Sequence, residues 1–384
     1  MLTCGTKKRT AIETSDELQL LGAQLNGRCN LDISTVALSA LKPALDESLD
    51  LYADAVRDPV FPEAEFLRQQ QLQLAAIANE KVTPVQMGLR ALPPLLFGSN
   101  HPYSVPLTGS GTEESVQKLV REDAVRFHEI WYKPNNCTLI VVGDTTLAEI
   151  KPKLERLFSS WEPAEVPKNI LNEVPRPASP AIYLVDKPGA LHSVVIAGTI
   201  APPANAETEI DFETMNKVFG GTFGARLNMN LREDKHWSYG AGSILYAARA
   251  QRPFLAFASV QGDKTADSIA EMLKELSGMT GAKPVTLEEL CKVKQQQIFE
   301  LPGSFETMNA VGNLLGDLLQ LGLPLDFYNS YVSRLSAVQI PDIERAARSL
   351  LSPQNTIWMV VGDRSAIEKS LRDLNIGEII PASV

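Results

Sequence analysis

"KPNNCTLIVVGDTTLAEIKPKLERLF", residues 133–158, has a second copy in the same chain: "SPQNTIWMVVGDRSAIEKSLRDL", residues 352–374. Each copy runs a proline, two residues, an apolar stretch with the composition of a strand, Val-Gly-Asp, and then an amphipathic helical pattern. Pro134 and Pro353 are 219 residues apart, as are Gly143 and Gly362, and Asp144 and Asp363. A constant offset across three landmarks marks an internal repeat, and a repeat has to be read before any single motif. Earlier segments echo in the same way. "STVALSALKPALDESLDLYADAV" and "FLAFASVQGDKTADSIAEMLKEL" each read as strand, turn and helix, with Ser48–Leu49 matching Ser268–Ile269 at an offset of 220. Both halves also carry a glutamine-rich helix, "EFLRQQQLQLAAI" and "EELCKVKQQQIFEL".

The pattern predicts an α+β fold made of two homologous domains. Each would be a mostly antiparallel sheet with helices on one face, the first lacking its opening elements. "SSWEPAEVPKNILNEVPRPASPA" holds five prolines after Trp161 and reads as an extended linker. The expected boundaries are residues 1–160 for the first domain, 161–180 for the linker and 181–384 for the second domain.

Bulk composition narrows the function. At 384 residues the chain exceeds one ordinary core. A net charge of −10 without any basic stripe argues against nucleic acid as a partner. No apolar run approaches the length of a membrane span, and the start has neither the h-region nor the cleavage site of a signal peptide. The four cysteines are far apart and form no CxxC pair, so they read as free thiols rather than a zinc knuckle.

"FGGTFGARLNMNLREDKHWSYG", the "YKPNN…VVGD" strand, the duplication and the proline-rich linker together resemble a subunit of the pitrilysin/insulinase peptidases, family M16. The similarity covers essentially the whole chain and includes the subunits of mitochondrial processing peptidase and of paired bacterial zinc peptidases. Active members carry His-x-x-Glu-His on an early helix, with a later Glu as third zinc ligand. Two His one turn apart face one ion, and the Glu between them serves as general base. The pattern continues into a Gly-Thr pair, here Gly5–Thr6, which would place the second His just before Met1. The third ligand is more telling. Where the family reads LEEI eight residues ahead of a proline, this chain reads "LAAI", Leu74–Ile77, ahead of Pro84. Ala76 therefore stands in the ligand position, and alanine cannot bind zinc. Glu80 lies one turn further, a displacement of about 6 Å along a helix. His101 reads as a loop-packing residue, His128 lacks a second His four residues on, and His192 and His236 stand alone. The resemblance implies no metal in this chain and zinc in a homologous partner.

In the second domain of this family an Arg and a Tyr seven residues apart hold the substrate backbone beside the scissile bond. Arg232 and Tyr239 match that pair, with Gly240 and Gly242 leaving room for a peptide strand. Arg is a fixed fork of donors and the Tyr hydroxyl can donate to a carbonyl. Spacing alone leaves an alternative open, in which Arg232 pairs with Glu233 or Asp234 on a solvated helix face and Tyr239 is core. Gly220, Gly221 and Gly224 read as a turn closing the helix "ETMNKVF" rather than a phosphate cradle. Arg226 and Asn228 are further candidates for substrate binding.

Three functions follow from the resemblance. The first is a noncatalytic subunit of an M16 zinc metalloendopeptidase that holds an extended peptide with Arg232 and Tyr239 while a homologous zinc-bearing subunit cleaves it. The second is a truncated active peptidase, and the third a structural assembly subunit. The relatives favour a bacterial periplasmic location, with the cytoplasm left open.

Overall fold

The computed structural model describes residues 1–384. They form two compact units, Met1–Ala78 with Gly109–Ile170, and Asn79–Thr108 with Leu171–Val384.

In the first unit, α1 (Ala11–Leu20) opens on a capping box. The Thr10 hydroxyl accepts from the Glu13 amide and the Glu13 carboxylate reaches back. The hairpin β1 (Gln24–Cys29) and β2 (Ser34–Ser39) is antiparallel. A 3₁₀ turn at Lys42–Ala44 leads into α2 (Leu45–Arg57), whose apolar face buries Leu49, Leu51, Ala53, Ala55 and Val56. Arg9 ties the start of the chain to α2, donating to Asp50 at 3.0 Å and to the buried Asp54 at 2.5 Å. α3 (Glu63–Glu80) follows, then α4 (Pro84–Ala91) and α5 (Pro93–Phe97), which belong to the second unit. The glutamines of α3 satisfy carbonyls of residues 110–119, Gln70 donating to Val116 and Leu119 and Gln73 to Ser110. Two helices follow Thr112, α6 (Glu113–Lys118) and α7 (Arg121–Trp131), with Thr112 as N-cap of the first. α8 (Leu147–Phe158) completes the unit.

One expected strand is absent. Residues 138–143 are extended without ladder pairing, and Leu139 and Val141 stay half exposed. Their copy in the second unit, β7, lies between two other strands. The ladder of the first unit, β1 with β2, does not take in this stretch.

The second unit carries a six-stranded sheet in the order β5-β6-β4-β7-β3-β8. Its strands are β3 (Ala181–Asp186), β4 (His192–Ala201), β5 (Ser238–Leu245), β6 (Arg252–Gln261), β7 (Ile357–Gly362) and β8 (Glu378–Ala382). β3 runs parallel to β7 and β8, and the other three pairings are antiparallel. One face, with Ile182, Leu184, Val195, Ala197, Trp358 and Val360, packs on a helical layer. That layer includes α9 (Glu209–Phe219), α11 (Thr265–Thr280), α12 (Leu287–Glu300), α14 (Tyr331–Ala337), α15 (Ile340–Leu350) and α16 (Arg364–Asp373). Between α9 and α11 lies the short helix α10 (Arg226–Asn228), and α13 (Met308–Leu321) follows α12.

The opposite face is not bare. Gly88 of α4 comes so close to β4 and β7 that an added Cβ would stand 2.8 Å from Ile196 and 3.6 Å from Met359. β7 is therefore buried on both faces, which is why "IWMVV" is a continuous apolar run rather than an alternating one. Residues 161–180 hold no helix or strand. All four cysteines are free thiols.

Candidate substrate-binding site

The Arg232–Tyr239 stretch is built from irregular backbone. α9 ends at Gly220, whose carbonyl accepts from the Ser243 amide of β5 at 2.9 Å. A Cβ at Gly220 would lie 2.7 Å from the Ser243 nitrogen, so only glycine allows this approach. After the loop, α10 runs directly into a π-helical turn, Met229–Asp234. Leu227 and Leu231 anchor this segment in the core, both fully buried. Arg232 follows and turns outward, 38% exposed. His236 then takes a positive φ of 57°, and β5 begins at Ser238. Between Ser238 and Ala241 the register with β6 shifts, leaving Tyr239 and Gly240 out of the ladder. The Ser238 hydroxyl stabilises this bulge, donating to the Ser259 carbonyl at 2.7 Å and accepting from the Gly240 amide at 3.0 Å. π turns and β-bulges are both enriched where a side chain is aimed for function.

Tyr239 is 91% exposed, so the core alternative for this residue is excluded. Its phenol has no hydrogen-bond partner within the chain. Arg232 does make the contact its neighbours suggest, with Nε 3.4 Å from the Glu233 carboxylate, but that pair is solvated. Its guanidinium also lies over the Phe223 ring, 4.6 Å from the centroid. Phe223, 65% exposed in the glycine loop, is the site residue that the sequence reading passed over. The flanking glycines drew attention, and nothing in their spacing signals an aromatic partner for Arg232.

Arg226 and Asn228 are placed differently. Arg226 makes a two-pronged pair with Glu289 at 2.6 and 2.7 Å, and donates to the carbonyls of Lys283 and Pro284. That pairing holds the Glu289 carboxyl below its usual range against the opposing effect of burial, with help from the Thr286 amide. Asn228 is 4% exposed, donates to the Phe223 carbonyl at 2.8 Å and accepts from the Ala241 amide at 3.2 Å. Both side chains are committed to internal bonds. An open cleft of about 620 Å³ is lined by Arg226, Met229, Asn230, Glu275 and Glu289, but not by Arg232 or Tyr239.

The residues where the family places zinc do not fit the metal. Ala76 is exposed on α3 and offers only a methyl group. Glu80, the nearest acid further along the helix, is held by Arg90 at 2.6 Å, with both side chains largely buried. Releasing that carboxylate would break a largely buried ion pair. No three His, Cys, Asp or Glu side chains converge in a geometry that could hold an ion. The histidines are engaged or isolated. His101 stacks on Phe97 and contacts the Asn172 carbonyl, and His128 stacks on Tyr132 and contacts the Val56 carbonyl. Burial lowers the His128 pKa.

Comparison with known proteins fits this arrangement. Residues 118–297 match the family described as Peptidase M16 inactive domain, and residues 1–92 match Insulinase (Peptidase family M16). A protein of Rickettsia felis named an uncharacterized zinc protease is 24% identical over 297 residues, 76% of this chain and 69% of that one. A Helicobacter pylori protein named a non-peptidase homolog is 21% identical over 370 residues, 95% of this chain and 83% of that one. The crystal structure of a peptidase M16 inactive domain from Pseudomonas fluorescens superposes with a TM-score of 0.86 at 20% identity, covering 94% of this chain and 86% of that one. The chain belongs to peptidase family M16. No helix is long and apolar enough to cross a membrane.

Proposed function

We propose that this chain is the substrate-holding, noncatalytic subunit of an M16 zinc metalloendopeptidase. Arg232 and Tyr239 grip the backbone of an extended peptide, and a homologous partner supplies zinc and the general base. One observation carries the reading. The chain presents an unpartnered phenol and a solvent-facing guanidinium on a junction of irregular backbone, while its zinc-ligand position is Ala76 and the adjacent acid is locked to Arg90. The chemistry suits carbonyl recognition. The guanidinium donates from a planar edge that stays charged at any physiological pH, and the phenol adds a neutral donor. β5 is an edge strand of the sheet, so a peptide can also add its main chain there. The family contains members named zinc proteases and a member named a non-peptidase homolog, and alanine at position 76 supports a reading of this chain as one of the latter kind.

The test begins with the tagged chain purified from its native host, with co-purifying proteins identified by mass spectrometry. The expected partner is a homologue carrying His-x-x-Glu-His and a downstream Glu. The reconstituted pair should cleave an unfolded peptide, and Arg232→Ala with Tyr239→Phe should slow cleavage at least tenfold, the effect of about 1.4 kcal/mol of lost contact. Undiminished cleavage by the double variant refutes the clamp. Chelator-sensitive hydrolysis by the purified chain alone refutes the noncatalytic role.

A further inference from the structure

We infer that Phe223 is a positioning residue for Arg232, an aromatic rest that presents the guanidinium to a peptide carbonyl. This inference rests on the clamp reading of Arg232. The guanidinium lies 4.6 Å from the Phe223 centroid, within the range of a cation–π contact. In its stacked form such a contact uses the flat face of the cation. The N–H donors radiate from its edge, in the plane, so stacking leaves them available to carbonyl oxygens. The competing contact is different in kind. The Glu233 carboxylate approaches Nε at 3.4 Å and, if it dominated, would occupy the donors a substrate needs. An aromatic platform holds the cation while leaving its hydrogen-bonding capacity free.

Phe223 is itself held in place. Its carbonyl accepts from the buried Asn228 amide at 2.8 Å, and the same Asn228 accepts from Ala241 on the strand that carries Tyr239. The Gly221 amide donates to the Asn216 carbonyl at 2.7 Å, fixing the loop to the end of α9. One side chain, Asn228, thus couples the loop bearing the platform to the strand bearing the phenol. Phe223 is 65% exposed, so packing does not account for a phenylalanine here.

Two readouts test the inference. In the isotope-labelled chain alone, the ring current of Phe223 should shift the Arg232 side-chain protons upfield. Phe223→Leu should abolish that shift and Phe223→Trp preserve it. In the pair reconstituted with the zinc-bearing subunit, Phe223→Leu should raise KM for a quenched-fluorescent peptide about two- to fivefold, the range of an exposed cation–π contact, with kcat unchanged. Phe223→Trp should restore KM, and Phe223→Leu should add nothing to Arg232→Ala. A melting temperature equal to that of the parent chain rules out misfolding as the cause. If Arg232→Ala impairs cleavage while Phe223→Leu does not, or if no upfield shift is seen, the platform role is overturned and the clamp stands. If Arg232→Ala has no effect, the clamp falls and this inference falls with it.

Discussion

Replacing Glu213 with glutamine should stabilise the chain at neutral pH and change it little in mild acid. Glu213 lies on α9, one turn beyond Glu209, which forms a buried two-pronged pair with Arg252 at 2.8 and 2.5 Å. Burial, and next the Glu209 carboxylate, push the Glu213 pKa from 4.5 to about 7. A hydrogen bond from the Tyr331 hydroxyl at 3.3 Å and the charges of Arg252 and Lys217 oppose this without reversing it. An acid with a raised folded pKa binds its proton more tightly in the native state. Its stabilisation is fully present below the unfolded pKa near 4.5 and is lost as pH rises through about 7. Moving from 4.5 to about 7 corresponds to about 3 kcal/mol, a substantial part of the roughly 5–15 kcal/mol typical of a folded domain.

Urea unfolding of the parent chain and Glu213→Gln between pH 5 and 8 measures the effect. Other groups titrate in the same window, including His128, whose lowered pKa gives a slope of opposite sign. The difference between the two proteins removes those shared terms. The variant should exceed the parent by under about 1 kcal/mol near pH 5 and by about 3 kcal/mol at pH 8. A difference constant within about 0.5 kcal/mol across the range would show that Glu213 is solvated and refute the argument.

Asn228→Ala leaves the Ala241 amide and the Phe223 carbonyl without partners. It should cost about 2–4 kcal/mol of stability and speed amide exchange at Ala241. A loss under about 0.5 kcal/mol would mean that water replaces the side chain freely. Zinc gives a second check, since a site occupied at about one hundred times its Kd adds about 2.7 kcal/mol. Zinc chloride should leave the melting temperature of the purified chain unchanged, and a chelator-reversible rise would point to a ligand set that Ala76 and the Arg90-bound Glu80 do not supply.

The repeat was legible because its local devices recur. The 3₁₀ turns at Pro134–Asn136 and Pro353–Asn355 share the 219-residue offset, and those at Lys42–Ala44 and Gly262–Lys264 are 220 apart. Strand, turn and helix around them follow from short-range pattern. What depended on distant neighbours was not legible. Residues 138–143 have strand composition but join no ladder. Gly88 looks like a weak point in a helix until Ile196 of β4 is placed against it. The π turn and the bulge around Arg232 and Tyr239 leave no periodic signature, because each is one residue out of step with the pattern around it.

Arg226 and Arg232 stand six positions apart on one irregular helical segment, and the same motif made both candidates for substrate binding. The fold sorts them by what stability explains. Arg226 answers a carboxylate 63 residues away and two loop carbonyls, so holding α12 to this segment accounts for it. Asn228 likewise joins loop to strand. No such account is available for Arg232, Tyr239 and Phe223. A solvated pair with Glu233 adds little, since exposed ion pairs contribute about 0–1 kcal/mol, and a phenol 91% exposed adds less. A single exposed aromatic needs no explanation. An exposed Phe223 against an outward guanidinium on a π turn, followed by an exposed phenol on a bulge, does need one. The half-buried Arg226 and the buried Asn228 tie the segment to its neighbours, while Phe223 and Tyr239 stay exposed and Arg232 faces outward.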